Sequence, residues 1–294
     1  MNITIQNEFA SVTCRTLGAE LLSYKTAAGK EYMWQKDPAY WAKTSPVLFP
    51  YIGAVPETVT IHGVDYKIPR HGFVKDAEFE VAEKGDDYVI LSTGTNDYTT
   101  SVYPYDFRFT VTFRLEQAKL VVTYGVENKS DKEMPFLIGG HPAFFCPLHE
   151  GEKQSEYCLG FRNGQGKVPE ALVNTVFGEG GVVTTQKKEY KLTDGFLSID
   201  EHLFDGDALV IEGHQIQRVA LTDPQRKEYL AVEFDAPLAG IWSPPKKQAP
   251  FVCIEPWYGR CDSERFDGEL KDRDWENALE AGGEFEASYK IIIE

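Results

Sequence analysis

Basic residues are the scarce charge in this chain: 30 Lys and Arg stand against 46 Asp and Glu, a formal net charge of −16. So acidic a chain argues against nucleic acid, whose phosphates need clustered Lys and Arg. It equally disfavours an anionic membrane, and the charge reads as a solubility property. No apolar run approaches the roughly 20 residues of a spanning helix. No apolar segment follows a basic start at Met1, so neither an anchor nor a signal peptide is expected. The five cysteines are odd in number and form no CxxC, which leaves no disulfide framework and no zinc knuckle. They read as reduced thiols of a cytoplasmic protein, with Cys146 and Cys253 as packing residues. HxxxH and HExxH pairs are missing, as are a GxSxG elbow, a P-loop and a GxGxxG turn. No metal and no cofactor is expected.

Helical periodicity is also scarce. "DRDWENALEAGG" predicts one short helix ended by Gly282, and "DPAYW" near Asp37 another turn. Period two dominates instead. In "FRFTVTFRL", Phe107, Phe109, Val111, Phe113 and Leu115 alternate with polar residues, the mark of a half-buried strand. "KLVVTYGVENKS" follows after a short break and completes a hairpin. "YLAVEFDA" and "FEASYKIII" alternate likewise, as do shorter runs at Ile3–Ile5, Phe79–Val81 and Tyr88–Leu91. The stretch from Glu150 to Gly181 reads as a long Gly-rich loop. No linker, repeat or low-complexity tract divides the chain. With 42% hydrophobic residues, a chain of this length can bury a large core without staples. The expectation is one all-β domain over 1–294, a large antiparallel β-sandwich with few short helices.

Four stretches could carry chemistry. "LIGGHPAFFCP" delivers His141 at the end of an apolar strand, between glycines and a proline. It is either a core histidine satisfied by backbone groups or a functional imidazole that the glycines leave open to a ligand. "APFVCIEPWYG" ends an apolar strand with Glu255. A buried carboxylate is costly unless paired or used, and Pro256 predicts that the chain leaves the sheet there, putting Glu255 at a rim. Trp257 beside it offers an aromatic face to the C–H side of a sugar. "IPRHGFVKD" holds Arg70 and His71 before a glycine that would let backbone approach a ligand. "DEHLFDGDALVIEG" is an acidic turn before a strand near Ala208, and it lacks the alternation of a calcium loop. His62, His149, His202 and His214 lie in polar turns and read as surface residues.

These stretches, taken in order with "GAELLSYKTAAGKEYMWQKDPAYW", "PVLFPYIG" and "YPYDFRF", resemble the aldose 1-epimerase (galactose mutarotase-like) family, and within it the LacX-like branch. The resemblance spans essentially the whole chain and implies the family's galactose mutarotase-like supersandwich. It implies interconversion of the α and β anomers of a free aldose, with His141 as acid and Glu255 as base. His71 would bind near the ring oxygen, and a sugar-binding carboxylate would be Glu201 or Asp207. The ordinary pKa values of His and Glu suit such roles near neutral pH. Family members commonly carry an Arg directly after "FPxxG", and here Ala54 stands there; Arg70 is the candidate substitute. The expected partner is a small sugar, and the expected state a monomer or homodimer. A hexose-6-phosphate 1-epimerase would need a cationic cluster, and ten Arg with no visible cluster near these stretches place it second. A glycosidase pairing Glu255 with Asp207 leaves His141 unexplained. A sugar-binding sensor on the same scaffold is the non-enzymatic alternative.

Overall fold

Alternation decides the strands. Along Phe107–Glu116 every second side chain from Phe107 to Leu115 is buried, and its hairpin partner Lys119–Asn128 buries Leu120, Val122, Tyr124 and Val126. The same period holds in Glu284–Ile293, which pairs with both Lys119–Asn128 and Glu228–Phe234. The computed structural model describes residues 1–55 and 57–294. Among them, two large sheets of antiparallel pairs dominate. The nine-stranded sheet runs in the order Phe196–Ser198, Cys158–Arg162, Arg218–Thr222, Glu228–Phe234, Glu284–Ile293, Lys119–Asn128, Phe107–Glu116, Tyr88–Gly94, Glu80–Lys84. The eight-stranded sheet runs Val183–Lys191, Ala171–Phe177, Leu209–Glu212, Leu238–Trp242, Phe251–Tyr258, Ile138–Gly140, Val47–Leu48, with Ala143–Phe145 also paired to Phe251–Tyr258, for eight strands in all. The sheets face one another. A Cβ on Gly140, in the second sheet, would lie 2.7 Å from the Tyr124 hydroxyl and 3.1 Å from that of Tyr289, both in the first. Aromatic rings fill the space between, with Phe49 packed on Phe73, Tyr103, Phe107, Phe109 and Phe136.

Three local expectations are corrected. "DRDWENALEAGG" forms no α-helix. A single 3₁₀ turn at Leu270–Asp272 precedes Trp275, whose φ of 63° no right-handed helix accommodates. Asn277–Leu279 then pairs with Met134–Phe136, and the Asn277 side chain donates to the Phe136 and Tyr258 carbonyls. The stretch from Glu150 to Gly181 is not one loop: Cys158–Arg162 and Ala171–Phe177 add a strand to each large sheet. Each is short and broken by Gly or Asn, so its alternation hardly shows in sequence. A short α-helix, Asp97–Val102, arises where none was expected, capped by the Asn96 side chain accepting from the Thr99 amide. No helix among the described residues is long and apolar enough to cross a membrane.

Candidate active site

His141 sits where one strand of the second sheet is interrupted. Ile138–Gly140 and Ala143–Phe145 both pair with Phe251–Tyr258, and His141–Pro142 bulges between them. The His141 amide donates to the Pro46 carbonyl (3.1 Å) and the Ala143 amide to that of Thr44 (2.9 Å). That crossing segment is itself pinned by Glu20, a buried carboxylate. Glu20 accepts from the Thr44 and Ser45 amides and pairs with Arg15 (2.5 Å) and Lys36 (2.9 Å). The two glycines before His141 do not open a path for ligand, as the sequence suggested. Gly140 meets the tyrosines of the facing sheet, and a Cβ on Gly139 would lie 2.8 Å from the Trp257 ring.

Glu255 reaches the same point from Phe251–Tyr258. The strand does not end at Pro256. Ile254 donates to the Pro142 carbonyl (3.2 Å), so Pro256, two residues on, turns its nitrogen to the same neighbour, where the ladder is already broken at His141. On its other side the strand stays paired through Trp257. Glu255 therefore lies in the floor rather than at a rim, only 1% exposed. Its Oε2 is 3.4 Å from His141 Nε2 and accepts from the Trp257 indole N–H (3.2 Å). Trp257 is buried beneath the carboxylate, while Trp41 stacks on the His141 ring (4.9 Å between centroids) and Trp242 meets it edge-on (5.6 Å).

The two groups line a cavity of about 410 Å³ together with Arg70, His71, Asp207, Trp41, Trp242 and Trp257, within the ~300–1,000 Å³ usual for small-molecule sites. His71 is in the left-handed region (φ 62°), as is Gly72 (φ 71°). This tight turn is locked because a Cβ on Gly72 would fall 1.9 Å from the Phe49 carbonyl oxygen. The close approach that needs glycine is thus to Phe49, not to a ligand. The turn aims the imidazole at His141, with the rings 5.7 Å apart and nearly perpendicular. The Gly53 amide donates to His71 Nδ1 (3.1 Å), so a neutral His71 carries its hydrogen on Nε2.

Of the two candidate carboxylates, only Asp207 lines the cavity, from a backbone at φ 79°. Glu201 is exposed on the turn before it and borders a separate small depression with Tyr40 and Lys153. In that turn the Asp200 side chain accepts from the His202 amide, with Leu203 and Phe204 buried behind it and Glu201 turned outward. Ala54 also has a structural reason: a Cβ on Gly181 would lie 2.9 Å from that of Ala54, so Gly181 packs against the position where the resemblance led one to expect Arg.

Burial overturns the expectation of ordinary pKa values. Desolvation, with Arg70 adding to it, lowers His141 to about 3. His71 is pushed down by burial, then by His141 and Arg70. Glu255 is raised well above the usual carboxylate range by burial, with Asp207 adding and the Trp257 N–H and Arg70 opposing. A proton shared by the pair therefore favours Glu255 over His141. His141, Cys253 and Glu255 also bring one donor atom each within 4.8 Å. A soft cation there would need the Cys253 thiolate, and burial and Glu255 push that thiol's pKa up.

Sequence reasoning missed Lys43 and Lys75, which line the cavity too, and the wall made by Trp41, Trp242 and Phe177. "DPAYW" and "RHGFVKD" contain Trp41 and Lys75, but nothing in either marks a shared cavity.

The profile of the aldose 1-epimerase family matches residues 1–269. The plasmid and chromosomal LacX proteins of Lactococcus lactis subsp. lactis are each 34% identical over 282 residues, 93% of both chains. A galactose mutarotase related enzyme from Lactobacillus acidophilus superposes with a TM-score of 0.92 at 32% identity, covering 100% of this chain and 97% of that one. A galactose mutarotase-like protein from Lactobacillus casei gives 0.92 at 27% identity over 100% of both. Sequence and fold agree over almost the whole length, and the chain belongs to the aldose 1-epimerase family.

Proposed function

We propose that the protein interconverts the α and β anomers of an aldose by acid–base ring opening, with His141 and Glu255 as the proton-transfer pair. The observation that carries the reading is their 3.4 Å approach on the floor of an aromatic-walled cavity. Glu255 takes the proton of the C1 hydroxyl and His141 gives one to the ring oxygen. The C1–O5 bond breaks and a carbonyl forms at C1. After rotation about C1–C2 the steps run backwards on the other face, each group taking the other's part. One proton shared by the two groups is enough for the whole cycle. Burial favours Glu255 over His141 as its holder. A seated sugar brings hydroxyl donors that stabilise the carboxylate, which passes the proton to His141. His71, with hydrogen on Nε2, donates to the ring-oxygen region, Asp207 accepts from a hydroxyl, and Arg70 contacts the sugar from the exposed side of the cavity.

Anomer exchange measured by NMR or polarimetry across a panel of aldoses tests this. Catalysis above the spontaneous rate is expected, with a loss of roughly 10²–10⁴-fold in both His141→Asn and Glu255→Gln. Sugar binding by calorimetry without acceleration would replace the reading with that of a binding protein.

A further inference from the structure

We infer that the aldose taken by this cavity carries an oxyanion, a phosphate or a carboxylate, on the part of the sugar remote from C1. The inference rests on the epimerase reading for the placement of C1, and on three cations that the fold brings together from two segments, Lys43 from one and Arg70 with Lys75 from the other. Lys43, Arg70 and Lys75 all line the cavity that holds His141 and Glu255. The chain has 46 acidic against 30 basic residues, so lining charges drawn at random would be mostly negative. Here three cations line the cavity against two carboxylates, Asp207 and Glu255, with Asp76 outside the lining paired to Lys43 and Lys75.

The cations lie outward of the chemistry. Glu255 and His141 are buried, whereas Arg70 is exposed and Lys43 keeps 39% of its side chain exposed. A sugar with C1 and its ring oxygen on the dyad therefore turns its far substituents toward them; in an aldohexose the exocyclic C6 is the reach that suits. Lys43 and Lys75 already converge on one oxyanion. Asp76, well exposed, accepts from Lys75 Nζ (2.5 Å) while Lys43 Nζ stands 3.6 Å from its other oxygen. Lys75 Nζ is further aligned by the Gly72 carbonyl (2.8 Å). Arg70 has no ion-pair or hydrogen-bond partner among the described residues. A planar guanidinium and two ammonium groups lining one cavity suit an oxyanion better than they suit neutral hydroxyls alone.

The test compares exchange kinetics for glucose and galactose, their 6-phosphates, and glucuronate and galacturonate, each corrected for its spontaneous rate. An anionic sugar should exceed its neutral parent at least about tenfold in kcat/KM, as one charge-assisted contact implies. Raising ionic strength should erode that preference, because the cations are partly exposed. Lys43→Ala should cut the preference by about tenfold and Lys43→Arg should keep it. The phosphate and uronate arms identify which oxyanion is taken. Equal or better turnover of the neutral parents, or Lys43→Ala slowing both classes alike, would overturn the inference. If no sugar is exchanged, the epimerase reading fails separately. Calorimetry with the same sugars then decides: tighter binding of the anionic member upholds the oxyanion site, and no difference refutes it.

Discussion

Replacing His141 by Asn should make the protein less sensitive to acid while removing its proposed chemistry. The imidazole is enclosed by Trp41, Trp242 and His71, and this desolvation, with Arg70 adding to it, lowers it to about 3. In the unfolded chain a histidine takes up its proton near 6.5. A group whose folded pKa is depressed contributes stability above its unfolded pKa and loses it as pH falls. The window here runs from about 6.5 down to about 3. At pH 5 the chain is about 1.5 pH units into it, and 1.36 kcal/mol per unit makes the loss about 2 kcal/mol. Asn cannot titrate, so that loss should disappear. Urea unfolding at pH 7.5 and pH 5, fitted with a common slope, measures it. The wild-type protein should lose about 2 kcal/mol more than the variant between the two conditions. Equal losses would mean that His141 is protonated in the folded protein near its ordinary pKa, and the desolvated dyad described above would be wrong.

Arg70→Ala should weaken sugar affinity by roughly ten- to a hundredfold, a charge-assisted hydrogen bond of about 1.5–3 kcal/mol, while the rate at saturation falls less; unchanged kinetics would make Arg70 a bystander. Trp257→Phe removes the N–H that holds Glu255 down, so Glu255 should keep its proton to higher pH. The proton-bearing pair then survives further, and the alkaline limb of the kcat/KM profile should move up; a limb that stays or moves down contradicts the assignment. Ala54→Arg should push against Gly181 and cost about 1–3 kcal/mol, as overpacking does. A lowered urea midpoint reports it, and an unchanged one would show that the 177–181 segment yields freely.

The local, period-two pattern of the chain determined its strands, because a half-buried strand must alternate; Phe107–Glu116, Lys119–Asn128 and Glu284–Ile293 stand where the alternation put them. It also marked His141 and Glu255 as polar groups within apolar runs, where burial is costly without a use. Tertiary structure alone decided what pairing across the chain controls. Ladder partners carry the strand through Pro256 and sink Glu255 to the floor. Met134–Phe136 draws Asn277–Leu279 into a strand that local periodicity reads as helix. A turn backbone at φ 79° selects Asp207 over Glu201, six residues earlier. Burial inverts the proton preference of the dyad, a property of the surroundings and not of residue type. The cationic side of the cavity was invisible for the same reason: Lys43 stands 27 positions before Arg70, and only folding brings their charges to one opening.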